Sequence, residues 1–126
     1  MRIEHIAIWT NQLKELKDFY RQYFGATSSE KYYNPSKQFT SYFLSFSSGT
    51  RLELMHQPDL TPTDQQRSVG LAHFAISLGS VDEVDHLTET LKEAGVPHLD
   101  GPRRTGDGYY ESTFLDPDGN LIELTV

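Results

Sequence analysis

Two short stretches constrain this chain more than any others, because one is a near copy of the other. Ile3-Glu4-His5-Ile6-Ala7-Ile8 and Leu71-Ala72-His73-Phe74-Ala75-Ile76 share the pattern apolar-x-His-apolar-Ala-Ile. The second sits in an apolar run bounded by Gly70 and Gly79, which reads as a buried strand. Side chains alternate between the faces of a strand, so Ala72, Phe74, Ile76 and Leu78 form one apolar face suited to a covering helix. Leu71, His73, Ala75 and Ser77 form the other, where small neighbours leave room around the histidine. A single buried histidine is ordinarily a hydrogen-bonded core residue. A histidine at the same place in two copies of one strand predicts a chain built as two versions of one unit.

The intervening sequence follows the same repeat. A first strand is expected over residues 2–9. Thr10 or Asn11 offers a helix N-cap. Leu13, Leu16, Phe19, Tyr20, Tyr23 and Phe24 then make a helical stripe that Gly25 ends. Strands are expected at about 26–33, 38–46 and 51–55, with a turn at Asn34-Pro35-Ser36-Lys37 and a hairpin turn at Ser47-Ser48-Gly49-Thr50. In the second half Ser80-Val81-Asp82-Glu83 reads as a capping box, followed by the stripe Val84, Leu87, Leu91 and Ala94, which Gly95 ends. Strands are expected at 96–99, 109–115 and 121–126. Residues 100–108, rich in glycine, read as a long flexible loop, and Asp116-Pro117-Asp118-Gly119-Asn120 as a tight turn. The expected fold class is therefore α+β. Two βαβββ modules, residues 1–57 and 69–126, lie in one domain spanning 1–126. A linker at about 58–68 carries Pro58 and Pro62 and has no sustained period.

Composition removes several function classes. There is no cysteine among the 126 residues, which excludes disulfides, thiolate ligands and a cysteine nucleophile and fits a cytoplasmic location. The net charge of −7 comes with no basic stripe, so no nucleic-acid partner is expected. No run is long and apolar enough for a membrane span, and nothing at the start reads as an export signal.

Glu53 and Glu123 end the two copies, separated by almost the same length of chain as the histidines. Each lies in a short strand whose other face is apolar: Leu52 and Leu54 in one, Ile122 and Leu124 in the other. An ionised carboxylate in a half-buried strand is costly unless it is paired or bound to a metal. His5, Glu53, His73 and Glu123 together make two imidazoles and two carboxylates, a set suited to a divalent first-row metal. Four protein ligands leave positions open for water or substrate, which is the catalytic arrangement.

On Ile3-Glu4-His5-Ile6-Ala7, Arg51-Leu52-Glu53-Leu54, Leu71-Ala72-His73-Phe74-Ala75 and the run Phe114–Leu124 with its Asp-Pro-Asp-Gly-Asn turn, the chain resembles the vicinal oxygen chelate superfamily. This is the glyoxalase, bleomycin-resistance and dioxygenase fold, and the match covers essentially the whole chain. The resemblance implies paired half-barrels and one divalent ion per site (Ni, Zn, Fe, Mn or Co), held by His5, Glu53, His73 and Glu123 as in the glyoxalase I branch. It implies a lyase or isomerase that converts an α-ketoaldehyde hemithioacetal to a 2-hydroxyacyl thioester through a metal-bound enediolate, with Glu123 as the catalytic base. Two alternatives share the fold: an acyl-CoA epimerase-like enzyme, in whose branch the position of Glu53 is often an amide, and a binding protein that sequesters a small molecule. Many glutathione-dependent members carry Arg where this chain has Trp9, and Asn where it has Gln57, which leaves the thiol of any adduct open. Arg103 and Arg104, in their glycine-bearing loop, are candidates to hold an anionic substrate under a mobile lid, the alternative being plain solvated charges. Tyr42, Leu44 and Phe46 are expected on the face of Glu53, lining either the pocket or the core. His56, His86 and His98 read as surface residues. The expected partners are a small-molecule substrate and a second copy of the chain in a homodimer.

Overall fold

A computed structural model describes residues 1–61, 69–106 and 108–126. Most of the linker expected at 58–68 lies outside the described residues. The chain divides into two compact units, Met1–Thr63 and Asp64–Val126.

The first unit contains β1 (His5–Trp9), α1 (Leu13–Phe24), β2 (Thr27–Ser28), β3 (Tyr32–Asn34), β4 (Phe39–Ser45) and β5 (Arg51–His56). The sheet order is β1-β5-β4-β2, with β3 also on β4. The last strand, β5, therefore runs parallel to the first and antiparallel to β4. The strand expected over 26–33 is two short pieces. Where the first piece ends, Ser28 Oγ and Ser29 Oγ donate to the carbonyls of Ser29 and Glu30, an alternative to the ladder that serine side chains offer.

The second unit contains β6 (Phe74–Ser77), α2 (Val81–Glu93), β7 (His98–Arg104), β8 (Tyr110–Leu115) and β9 (Leu121–Thr125). Its order, β6-β9-β8-β7, again pairs first and last strands in parallel. Both units are thus βαβββ modules of one topology, and the chain is α+β.

Each helix covers one face of its own sheet because alternation has made that face apolar. In the first unit Leu16, Phe19 and Tyr20 of α1 cover the sheet face of Leu44, Leu52 and Leu54, all buried, and Ile8 on the same face is buried as well. In the second, Val84, Thr88 and Leu91 of α2 meet Phe114, Ile122 and Leu124, none of which retains exposure. Fully burying side chains of this size is worth about 1.5–3 kcal/mol each. The cap of α2 is the expected one, with Ser80 Oγ accepting the Glu83 N–H at 3.2 Å. That of α1 is not: the N-cap is Gln12, not Thr10 or Asn11, and its side chain makes no capping bond, because Thr10 Oγ1 accepts the Gln12 N–H at 2.8 Å in a local turn ahead of the helix.

The segment expected as a flexible loop over 100–108 is otherwise. Its first half, including Arg103 and Arg104, lies in β7. A Gly-Pro pair breaks an interior strand, but β7 is the edge of its sheet, where a proline without an N–H is tolerated. The register with β8 shifts on either side of Asp100, which absorbs the pair. Gly101 has φ 84° and lies so close to β8 that a methyl group there would overlap the Glu111 carbonyl and sit 2.9 Å from Ser112 Cα. Only glycine fits that place.

Candidate active site

The face of each sheet opposite its helix carries the chemistry. In the first module, pairing sets Ala7 beside Glu53 and His5 beside Arg51, so His5 and Glu53 project from the same side of adjacent strands. His5 Nε2 lies 3.9 Å from Glu53 Oε2. The imidazole is 41% exposed and the carboxylate only 15%. Across the other edge of β5, Glu53 pairs with Phe43, whose ring meets that of His5 edge-on at 5.4 Å.

The second module repeats the arrangement. His73 immediately precedes β6, in which Ala75 pairs with Glu123. His73 Nε2 lies 3.3 Å from Glu123 Oε2, with the ring 44% and the carboxylate 20% exposed. The Asp-Pro-Asp-Gly-Asn turn sets the register of this glutamate. Buried Asp116 accepts the N–H groups of Asp118 and Asn120 on Oδ1, at 3.0 and 2.9 Å, and the Asn120 side-chain amide on Oδ2 at 2.9 Å. Gly119, at φ 82°, closes the turn by donating to the Asp116 carbonyl. Leu115 is thereby opposite Leu121, and Thr113 opposite Glu123.

Among the described residues no group of three or more His, Asp or Glu side chains is arranged so that it could hold a metal ion. Each module presents a two-donor pair, one imidazole nitrogen and one carboxylate oxygen on a half-open face. The chemistry of that donor set fits a divalent first-row metal.

The remaining candidates divide by face. Trp9 is on the side of His5, 48% exposed, with its ring edge-on to Phe39 at 6.1 Å; Phe39 in turn meets Tyr32 at 6.0 Å. Tyr42 is not on the face of Glu53. It pairs with Leu54, and Leu44 with Leu52, so both belong to the helix-covered side, where Lys17 Nζ sits 4.3 Å above the Tyr42 ring. Phe43 occupies the place expected for Tyr42. Gln57, just past β5, donates to the Lys37 carbonyl at 3.5 Å in an open groove formed with Pro35, Gln38 and Asp59.

Arg103 and Arg104 separate as neighbours on a strand must. Arg103 pairs with Glu111 on the side of Thr113 and Glu123, and binds the carboxylates of Asp100 and Glu111. Those neighbours, Asp100 foremost and Glu123 least, raise the Arg103 pKa further. Arg104 pairs with Tyr110 on the helix side, its guanidinium 5.7 Å from that ring, so it does not join Arg103. His86 is exposed as expected. His56 and His98 are not plain surface residues. His56 Nδ1 is 2.9 Å from the Thr10 carbonyl, tying the end of β5 to the start of α1, and the His98 ring packs on Phe114 at 4.8 Å.

Two residues of the first site escaped the sequence reading. Glu4 Oε2 is 2.6 Å from His5 Nδ1, and Arg51 bonds Oε1 of the same carboxylate. The available signal was the parallel register itself, which sets Arg51 beside His5.

With this geometry in view, the comparisons are consistent. Residues 2–124 match the model of the Glyoxalase/Bleomycin resistance protein/Dioxygenase superfamily, and the chain belongs to that superfamily. Its members commonly bind divalent metals. The chain is 30% identical to mitochondrial methylmalonyl-CoA epimerase of Dictyostelium discoideum over 131 residues, covering 98% of this chain and 76% of that protein. Among solved structures, it is similar to the trypanothione-dependent glyoxalase I of Leishmania major. The TM-score is 0.80 at 26% identity, covering 99% of this chain and 86% of that one. It is also similar to glyoxalase I of Zea mays, with a TM-score of 0.81 at 26% identity, covering 98% of this chain and 44% of the maize chain.

Proposed function

We propose that the protein is an enzyme that moves a proton at the carbon next to a carbonyl group, with His5, Glu53, His73 and Glu123 as ligands of a divalent metal ion. The observation that carries this reading is the recurrence of one His–Glu pair at the same strand positions of two modules. A bound ion would supply Lewis-acid polarisation of the substrate carbonyl. The chain's own residues do the rest. Glu123 is the catalytic base: its carboxylate takes the carbon-bound proton. Trp9 and Phe39 offer an aromatic wall beside the first pair. Arg103, on the face of Glu123, offers positive charge to an anionic group of the substrate.

The identity to methylmalonyl-CoA epimerase favours an acyl-CoA substrate, epimerised at the carbon next to the thioester. The alternative named from the sequence is thus better supported than the glyoxalase reaction. In an epimerisation Glu123 would take the proton from one face of the carbon, and a proton drawn from water would be delivered to the other. The glyoxalase reading retains support from the 26% identity to the Leishmania enzyme and from a carboxylate, not an amide, at position 53. There the proton would return to the neighbouring carbon.

The two are separated by loading the purified protein with metal and following two substrates in deuterated water by NMR. Epimerisation predicts deuterium at C2 of methylmalonyl-CoA. The glyoxalase reading predicts thioester formation from methylglyoxal and glutathione or another thiol. Protein that binds metal stoichiometrically yet does neither would sink both of these reactions. Protein that retains no metal would favour a sequestering role.

A further inference from the structure

The two histidines are held differently. His5 Nδ1 lies 2.6 Å from Glu4 Oε2, while Oε1 of Glu4 accepts from Arg51, at 2.8 Å from Nε and 2.6 Å from Nη2. Both oxygens of the carboxylate are therefore engaged. The backbone beneath is tied as well: the Arg51 N–H donates to the Glu4 carbonyl at 3.1 Å, and Thr50 Oγ1 to the Ile3 carbonyl at 3.0 Å. The Arg51 guanidinium lies 4.2 Å from the centre of the Phe43 ring, the ring that also meets His5 edge-on. In the second module alanine holds the position before His73, and among the described residues no carboxylate meets His73 Nδ1.

A neutral imidazole has one N–H, and which nitrogen carries it is set by the hydrogen bond that the other nitrogen makes. An ionised carboxylate can only accept. At Nδ1 it therefore selects the tautomer whose Nε2 bears a lone pair, and Nε2 is the nitrogen that faces Glu53. We propose that Glu4, clamped by Arg51, is a positioning residue: it accepts the Nδ1–H of His5, fixes that tautomer and aims Nε2 at the open face of the sheet. Its use in metal binding rests on the ligand role given to His5 above. Such partners of a ligating histidine raise its basicity and pin its ring.

The test begins with full-length, metal-free protein at about pH 8.5, where imidazoles are neutral. Ring-nitrogen NMR of wild type is expected to show His5 protonated at Nδ1. Glu4→Leu, at an exposed position, should move His5 toward the Nε2–H form that free imidazole favours and leave His73 unchanged. Glu4→Gln keeps an acceptor oxygen and should restore the wild-type tautomer. Titration with Zn2+ alone should then show affinity falling about 10–100-fold in Glu4→Leu, with most of it recovered in Glu4→Gln. A wild-type His5 protonated at Nε2, or a tautomer that does not change in Glu4→Leu, would overturn the proposal. A tautomer change in a protein that binds no Zn2+ would support the positioning role and overturn the metal reading instead.

Discussion

His73 Nε2 and Glu123 Oε2 lie 3.3 Å apart, closer than the 3.9 Å between His5 Nε2 and Glu53 Oε2 in the matching pair. If Glu123 is the base, its basicity matters beyond its capacity as a ligand. Glu123→Gln keeps the size and one oxygen, and is expected to lose about 10²–10⁴-fold in turnover. Glu53→Gln should lose less. Rates are to be compared at equal metal content. Full activity in Glu123→Gln with none in Glu53→Gln would give the base to the first module.

Metal binding should follow the two pairs. His5→Ala and His73→Ala are each expected to reduce metal content strongly, whereas exposed His86→Ala should retain it. Metal analysis after gel filtration checks this. Equal content in all three variants would remove these histidines as ligands.

The two neighbouring arginines should part company. Arg103 shares the face of Glu123 and Arg104 does not. Arg103→Ala should raise KM about tenfold or more for an anionic substrate by removing a charge-assisted contact. Arg104→Ala should leave KM nearly unchanged. Steady-state kinetics on both variants decides whether strand phase governs substrate contact here.

Buried Asp116 organises the turn before β9. Asp116→Ala removes the acceptors of three donors and should cost about 2–5 kcal/mol, read by urea denaturation. Because the same turn sets Glu123 opposite Thr113, the variant should also lose activity at temperatures where it remains folded.

One surface contact gives a pH signature. The hydrogen bond from Arg103, and then the Gly101 N–H, hold the Asp100 carboxyl below its ordinary value. A depressed folded-state value adds stability above the unfolded value of about 3.9 and loses it as pH falls through the lower folded value. The melting temperature of wild type should exceed that of Asp100→Asn at neutral pH, and the gap should close in acid as pH falls below the unfolded value and through the lower folded one. A gap that widens in acid would contradict the assignment.

The elements and the apolar faces were legible because strand and helix periods differ and each module buries one side. The phase between strands was less so. Tyr42 was expected beside Glu53, but the register across the β4–β5 turn pairs it with Leu54, and a shift of one residue exchanges the faces. Arg103 and Arg104 read as loop residues because Gly101-Pro102 carries a breaker signal. Whether such a pair breaks a strand depends on whether the strand is an edge, which only the sheet order reveals. The clamp on His5 was hidden for another reason. It joins Glu4 to Arg51 through parallel strands distant in sequence, and adjacent residues such as Glu4 and His5 give no pattern from which a side-chain contact can be read.

In each module the strand made last is an interior one: β5 lies between β1 and β4, and β9 between β6 and β8. During synthesis at ~5–20 residues per second, neither sheet can close until its final strand has left the ribosome. Until then β1 has no parallel neighbour, and Ile6 and Ile8 wait uncovered for residues 51–56 to emerge. The nascent first module is thus exposed to aggregation for the seconds needed to make α1 and the intervening hairpin. A ribosome stall just before residue 51 would hold it in that state.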